Sequence, residues 1–325
     1  MAGEDDFRGE PEPRGGGRSR LLLAGVLAAL FAAMLGYRVL HAGRLEETAL
    51  FYVGLPAAIA LTVVFAARPR SAAGVATATT AVGLALAGPL LDEGVVCLVV
   101  AAPLFLGVAA LVGWLADRAR GGPSTLALAP VLALACLDGA ASGGALASWP
   151  EHDAATAVRT VAAEPGRVAA ALAAEPAYEQ PPGGLLALGF PRPLSAAGTG
   201  LDLGDERLVR FTPRRSLGPG AEPEPRSMAL RVTESESRPD GGRAVFTVTA
   251  DTTLARWLDL ERAEVRWRAR PGGGTELAWT LHYRRTYDPG WYFGPIQRYA
   301  AGEAAGYLAA EFAALAAGPA HPVRR

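Results

Sequence analysis

Residues 274–315 constrain the fold more than any other stretch. A run that repeats in twos crosses a proline-glycine break into a run that repeats in threes and fours. In Thr275 to Thr286, Leu277, Trp279, Leu281 and Tyr283 point one way, while Glu276, Thr280, His282 and Arg284 point the other. That alternation predicts a strand with one buried face. Asp288 is an N-cap candidate and Pro289 suits the first helical position, where a missing N–H costs nothing. Pro295 offers a second starting point for the regular helix, with 290–294 as a bend. Phe293, Ile296, Ala300, Ala304, Tyr307, Leu308 and Leu315 then form a helical apolar stripe wide enough to cover a sheet. Gly318 and Pro319 end it. A helix laid on a sheet is therefore the expected end of the chain.

The beginning is of another kind. Residues 1–20 are polar and rich in Gly and Pro, and predict a disordered tail. Five apolar runs follow, at 21–40, 48–67, 72–91, 95–116 and 125–147. A helix needs roughly 20 apolar residues to cross the hydrocarbon core. These runs are apolar nearly all round, so residues 21–147 are expected to form an all-α transmembrane bundle of about five spans. Thr77, Thr79 and Thr80 in the third run can bond back to their own helix carbonyls. The fifth run is interrupted by Asp138, and whether it crosses decides the side of everything after it. Asp138 reads either as an intramembrane polar site or as a residue facing other helices or interfacial water. Cys97 and Cys136 both lie in apolar runs and read as packing thiols.

Arginine sets the orientation. Arg8, Arg14, Arg18 and Arg20 precede the first run, Arg68 and Arg70 follow the second, and Arg118 and Arg120 follow the fourth. The positive-inside rule then puts the N-terminus in the cytoplasm and, with five crossings, the C-terminal domain outside a bacterial plasma membrane. All 31 basic residues are Arg, and the net charge of -1 makes no electrostatic case for nucleic acid as a partner.

From residue 153 the composition changes to a balanced 21 Arg and 20 acidic residues. The residues predict a strand at 156–163, a helix at 167–174, a short helix at 185–189, and strands at 206–211, 228–235, 244–252, 262–269 and 275–286. Pro239–Gly242 and Pro271–Gly274 make hairpin turns. With the last helix this is an α+β domain at 153–317, followed by a tail at 318–325.

Three segments carry a resemblance: Thr160 to Val168 at the first strand–helix junction, Gly204 to Phe211, and Gly274 to Arg284 with the helix after it. Their order resembles the START-like, or SRPBCC, superfamily, which includes polyketide cyclase-like proteins and has the helix-grip fold. The resemblance covers about half the chain. It implies a curved antiparallel sheet around a long C-terminal helix, a mostly apolar cavity between them, and a lipid or other hydrophobic small molecule as ligand. Some members are enzymes, and a cyclase acting on such a molecule is the alternative. A transporter-like or structural membrane protein with a regulatory domain is a second alternative. The expected partners are the lipid bilayer and the hydrophobic ligand; oligomeric state is open.

The cavity candidates are Trp267, Trp279, Tyr283, Arg285, Trp291, Tyr292, Tyr307 and Glu311. Tyr283, Arg285, Trp291 and Tyr292 gather at the strand–helix junction, where aromatics and one Arg can orient an anionic or carbonyl head group; the competing reading is core aromatics with a locally satisfied Arg. Trp267 and Trp279 sit on adjacent strands and read as core or as cavity wall. Glu311 lies on the helix stripe, either as a buried acid suited to proton transfer or at the domain edge. Arg262, Glu264, Arg266 and Arg268 read as a solvated strand face. The four histidines lack metal-ligand spacing, so no metal is expected. The glycines at 198–204 lack the order of a phosphate cradle, and no cofactor is expected.

Overall fold

The computed structural model describes residues 71–91, 95–119 and 150–318, except 177, 180, 215–223 and 254–257, together with positions 24–26, 28, 29, 32 and 58. The expected tail at 1–20 and most of the first, second and fifth apolar runs, with Asp138 and Cys136, lie outside the described residues. The chain divides into two compact units, Met1–Glu93 with Cys97–Ala127, and Leu128–Arg325 with Gly94–Val96.

In the first unit, α1 spans Ala72–Leu91 and α2 spans Val95–Ala119. Among the described residues one helix, Cys97–Arg118, is long and apolar enough to cross a membrane, and Ala72–Ala87 is a shorter apolar helix. The start of a helix leaves amides without partners. Here Asp117 supplies them: Oδ1 accepts from the Ala72 amide at 2.7 Å and Oδ2 from Ala73 at 3.1 Å. The helices meet closely at this end, since a Cβ added to Gly113 would come within 2.2 Å of the Ala73 Cα. Thr77 bonds back to the Ala73 carbonyl at 2.8 Å, as its place in an apolar helix requires.

The second unit is built on a seven-stranded antiparallel sheet in the order β1-β7-β6-β5-β4-β3-β2. Its strands are β1 (His152–Val161), β2 (Pro193–Ala197), β3 (Glu206–Arg214), β4 (Glu224–Arg238), β5 (Gly241–Asp251), β6 (Leu258–Ala269) and β7 (Thr275–Arg285). β1 pairs with β7 across the whole of its length, from His152–Arg284 to Val161–Thr275. A short helix α3 (Pro165–Ala173) and a 3₁₀ turn (Gly184–Leu188) follow β1, and α4 (Gly290–Ala317) closes the chain.

The alternation read from β7 holds: Leu277, Trp279, Leu281 and Tyr283 are buried, and Glu276 and Arg284 are exposed. Register shifts interrupt β4–β5 twice, at Ala229/Leu230 and Val232/Glu234, and β6–β7 once, at Leu260/Arg262. Each extra residue bends its strand and increases the twist, and such bends curve the sheet. At the β6–β7 turn Gly274 has φ +76°, and a Cβ there would stand 2.6 Å from the Val161 carbonyl oxygen. Only glycine fits that approach.

The helix departs from expectation at its start and on its inner face. It begins at Gly290, with Pro289 extended as the N-cap residue. Asp288 does not cap it, because its carboxylate takes Arg285 Nη1 at 2.5 Å. The face most deeply buried is not the large-residue stripe. It runs Gly294, Gln297, Ala301, Ala305, Ala309, Phe312, Ala316, at spacings of three and four. These mostly small residues bring the helix close to the protein interior. Of the expected stripe, Leu315 is exposed, and Ala300, Ala304, Tyr307 and Leu308 face a hollow.

On the opposite face of the sheet Glu264 accepts from Arg243 Nε at 2.8 Å and from Arg266 Nε, with His282 Nε2 at 3.6 Å. Burial acts to raise the Glu264 pKa, but the two arginines outweigh it and hold it down to about 2. The expected solvated face thus contains one carboxylate that is nearly buried and fully paired.

Candidate functional site

Between the sheet and α4 lies a cavity of about 160 Å³. A single water needs about 10–15 Å³, so the space is far larger than a packing defect. Its sheet wall comes from β3 to β7, with Val209, Met228, Phe246, Leu260 and Leu281 among its residues. Ala300, Ala304 and Leu308 form the helix wall. Leu186, Phe190 and Pro191 bound it from the segment before β2. That segment is tied to α4 where the Leu185 amide donates to Glu303 Oε2 at 3.1 Å.

The aromatic part of the wall is made of two stacked groups. Trp279 stacks on Phe312 at 5.4 Å between ring centroids and on Phe246 at 6.3 Å. Tyr178 and Tyr307 stack at 6.5 Å, nearly parallel. Tyr178 holds a left-handed backbone, φ +50°, a costly conformation for a residue with a bulky side chain.

Four polar side chains reach this apolar space: Tyr178, Arg192, Arg207 and Tyr307. Arg207 is only 6% exposed. It donates from Nη2 to the Leu172 carbonyl in the last turn of α3, at 2.9 Å, and its guanidinium lies 5.3 Å from the Phe246 ring centroid. Burial lowers its pKa, against the opposing influence of Tyr178, Glu175 and Asp205. It stays a cation, as Arg does in proteins. Burial, and then the Glu311 carboxylate, push the Tyr307 phenol up to about 12, with Arg192 acting the other way. Tyr307 is therefore a proton-bearing donor at neutral pH, not a base. The Nε of Arg192 and the indole Nε1 of Trp279 are buried with no hydrogen-bond acceptor among the described residues.

Of the eight residues the sequence singled out, Trp279 and Tyr307 line the cavity. Glu311 is buried beside Tyr307 but does not line it. Trp267 is core: it pairs with Leu277 rather than Trp279, and its ring lies against Gly242. Tyr283 is buried in the core and donates to Asp153 Oδ2 at 3.3 Å; Arg298 grips the same carboxylate through Nε at 2.9 Å and Nη2 at 2.7 Å. Arg285 Nη1 donates locally to the Tyr287 carbonyl at 2.6 Å and to Asp288, while its Nε is buried with no acceptor among the described residues. Trp291 is half exposed and packs edge-on to Tyr292, which meets Phe293 in the same way. The junction set is thus a strut between β7 and α4, away from the hollow. Sequence reasoning missed Arg207, Arg192 and Tyr178. Only Arg207 left a signal, since it shares the β3 face of Val209 and Phe211.

No protein-family model matches the sequence, and no curated protein does. Solved structures do. A protein from Chromobacterium violaceum is 16% identical, with 50% of this chain covering 96% of that one at a TM-score of 0.31. A protein from Thermus thermophilus is also 16% identical, 52% covering 100%, at 0.32. The major latex-like protein 151 of Panax ginseng is 8% identical, 49% covering 99%, at 0.26. At these values the likeness adds nothing to what the strand order and the last helix themselves show: a curved antiparallel sheet with a long C-terminal helix, the helix-grip arrangement.

Proposed function

We propose that the chain is a membrane-anchored protein whose C-terminal domain takes a lipid or other hydrophobic small molecule into the hollow between its sheet and its last helix. The observation that carries this reading is the cavity itself: about 160 Å³, walled by Trp279, Phe312, Phe246 and aliphatic side chains, and closed to one side by α4. Apolar walls with a few polar groups are what small-molecule sites have in common. Anchoring is supported by α2, whose Val99, Phe105 and Trp114 are each more than half exposed. Water around such a helix is unfavourable, and hydrocarbon is the environment that suits it. The proposed orientation keeps the N-terminus in the cytoplasm and the C-terminal domain outside.

Native mass spectrometry of the full chain released from lipid nanodiscs tests the binding. The expected result is a retained apolar molecule that is lost in Ala304→Trp, which fills the hollow. Identical spectra for wild type and this variant would sink the reading. Cysteine placed at Ala320 tests the side. Labelling of intact cells by an impermeant reagent is expected, and protection until lysis would reverse the topology.

A further inference from the structure

Resting on that binding reading, we infer that the molecule taken into the hollow carries an anionic, carboxylate-type end, and that Arg207 receives it. A guanidinium removed from water needs a partner that answers its charge as well as its hydrogen bonds. Arg207 is only 6% exposed, yet it makes no ion pair with a carboxylate among the described residues. Its partners are a carbonyl at the end of α3 and the face of Phe246. The helix end and the ring each offer partial negative charge, but neither supplies a full one.

The two acids whose charges reach it, Glu175 and Asp205, make no ion pair with it and hold backbone amides instead. Glu175 Oε1 accepts from the Gly198 amide at 2.9 Å, and Asp205 Oδ2 from the Asp202 amide at 2.8 Å. A second arginine, Arg192, also reaches the cavity, with its Nε buried and without an acceptor among the described residues. Trp279 contributes a third donor, the buried indole N–H. The Tyr307 hydroxyl, buried and also without a hydrogen-bond partner among the described residues, can donate or accept; the other groups are donors only, and two of these four side chains are cationic. Glu311, whose charge acts on Tyr307 and Tyr178, does not line the cavity. An amphiphile with one anionic end meets this arrangement: the tail takes the aromatic and aliphatic walls, and the head completes the guanidinium.

The test compares decanoic acid, decan-1-ol and methyl decanoate for binding to the full chain in neutral phosphatidylcholine nanodiscs at neutral pH, with empty nanodiscs subtracted. The acid is expected to bind at least about tenfold more tightly than the alcohol or the ester, the scale of one charge-assisted hydrogen bond. In Arg207→Met the preference is expected to vanish while the alcohol still binds. Should Arg207→Met fail to fold, Arg192→Gln gives a second reading, with the preference reduced and not abolished. Equal binding of all three ligands to the wild type would overturn this inference and leave hydrophobic binding standing. Ester binding as tightly as the acid would also overturn it, because a neutral acceptor would then suffice. Failure of all three to bind would overturn both readings.

Discussion

Ala304 and Ala305 are neighbours on one helix, and the account gives them opposite fates. Ala305 is fully buried within the core, whereas Ala304 lines the hollow. Leucine at either position adds three carbons. At Ala304 those carbons enter empty space; at about 0.8 kcal/mol each, less about 0.5–1 kcal/mol of side-chain entropy, the expected gain is roughly 1–2 kcal/mol. At Ala305 there is no void to receive them, and overpacking is expected to cost about 1–3 kcal/mol. The two variants should therefore differ by roughly 3 kcal/mol with the same chemical change and nearly the same helix propensity. Hydrogen exchange of the β7 amides in the full chain reads this difference, because those amides open with the core. Slower exchange in Ala304→Leu and faster exchange in Ala305→Leu is expected. Equal effects, or the reverse order, would refute the assignment of the two helix faces.

Other consequences follow from the same contacts. Glu264 has a folded pKa of about 2, below its ordinary 4.5, so its contribution is fully present above about 4.5 and is lost as pH falls toward about 2. Its size is at most about 3 kcal/mol; acid unfolding of Glu264→Gln followed by tryptophan fluorescence should lack that part of the transition, and an unchanged profile would contradict the pairing. Gly242→Ala would set a Cβ 2.3 Å from the Trp267 ring and 2.4 Å from the Glu236 carbonyl oxygen; it is expected to destabilise the β5–β6 region by about 2 kcal/mol or more, visible as faster exchange there. Asp153→Asn removes the charge that Arg298 grips and is expected to cost about 1 kcal/mol, since Arg298 is half exposed. Exchange in the first turns of α4 should quicken, and no change would mean the bridge does not tie the helix to β1.

The strand and helix content of the C-terminal half was legible because period-2 and helical repeats are local. β7 needed only its own residues, and the glycine-rich turns marked their own hairpins. β2 was missed because Pro193 and the glycines from 198 onward read as loop, and its pairing with β3 is a long-range event. The inner face of α4 was misread for a related reason. Large apolar residues dominate a sequence stripe, but close packing selects Gly and Ala, and the larger Tyr307 and Leu308 are left facing the cavity. The junction residues Arg285, Trp291 and Tyr292 had suggestive chemistry and no sequence clue that Arg285 is held by Tyr287 and Asp288 while Trp291 packs on Tyr292. Arg207 was detectable in principle as a charge on an apolar strand face; Arg192 and Tyr178 reach the site from irregular segments with no period to read.

The most direct measurement is a crystal structure of the protein soaked with a bromine-tagged decanoic acid, read by the anomalous signal of the halogen. A bromine peak is expected inside the space bounded by Trp279, Phe312 and Leu308, with the acid end toward Arg207. A structure in which α4 closes down onto the sheet, leaving no space and no peak there, would contradict it.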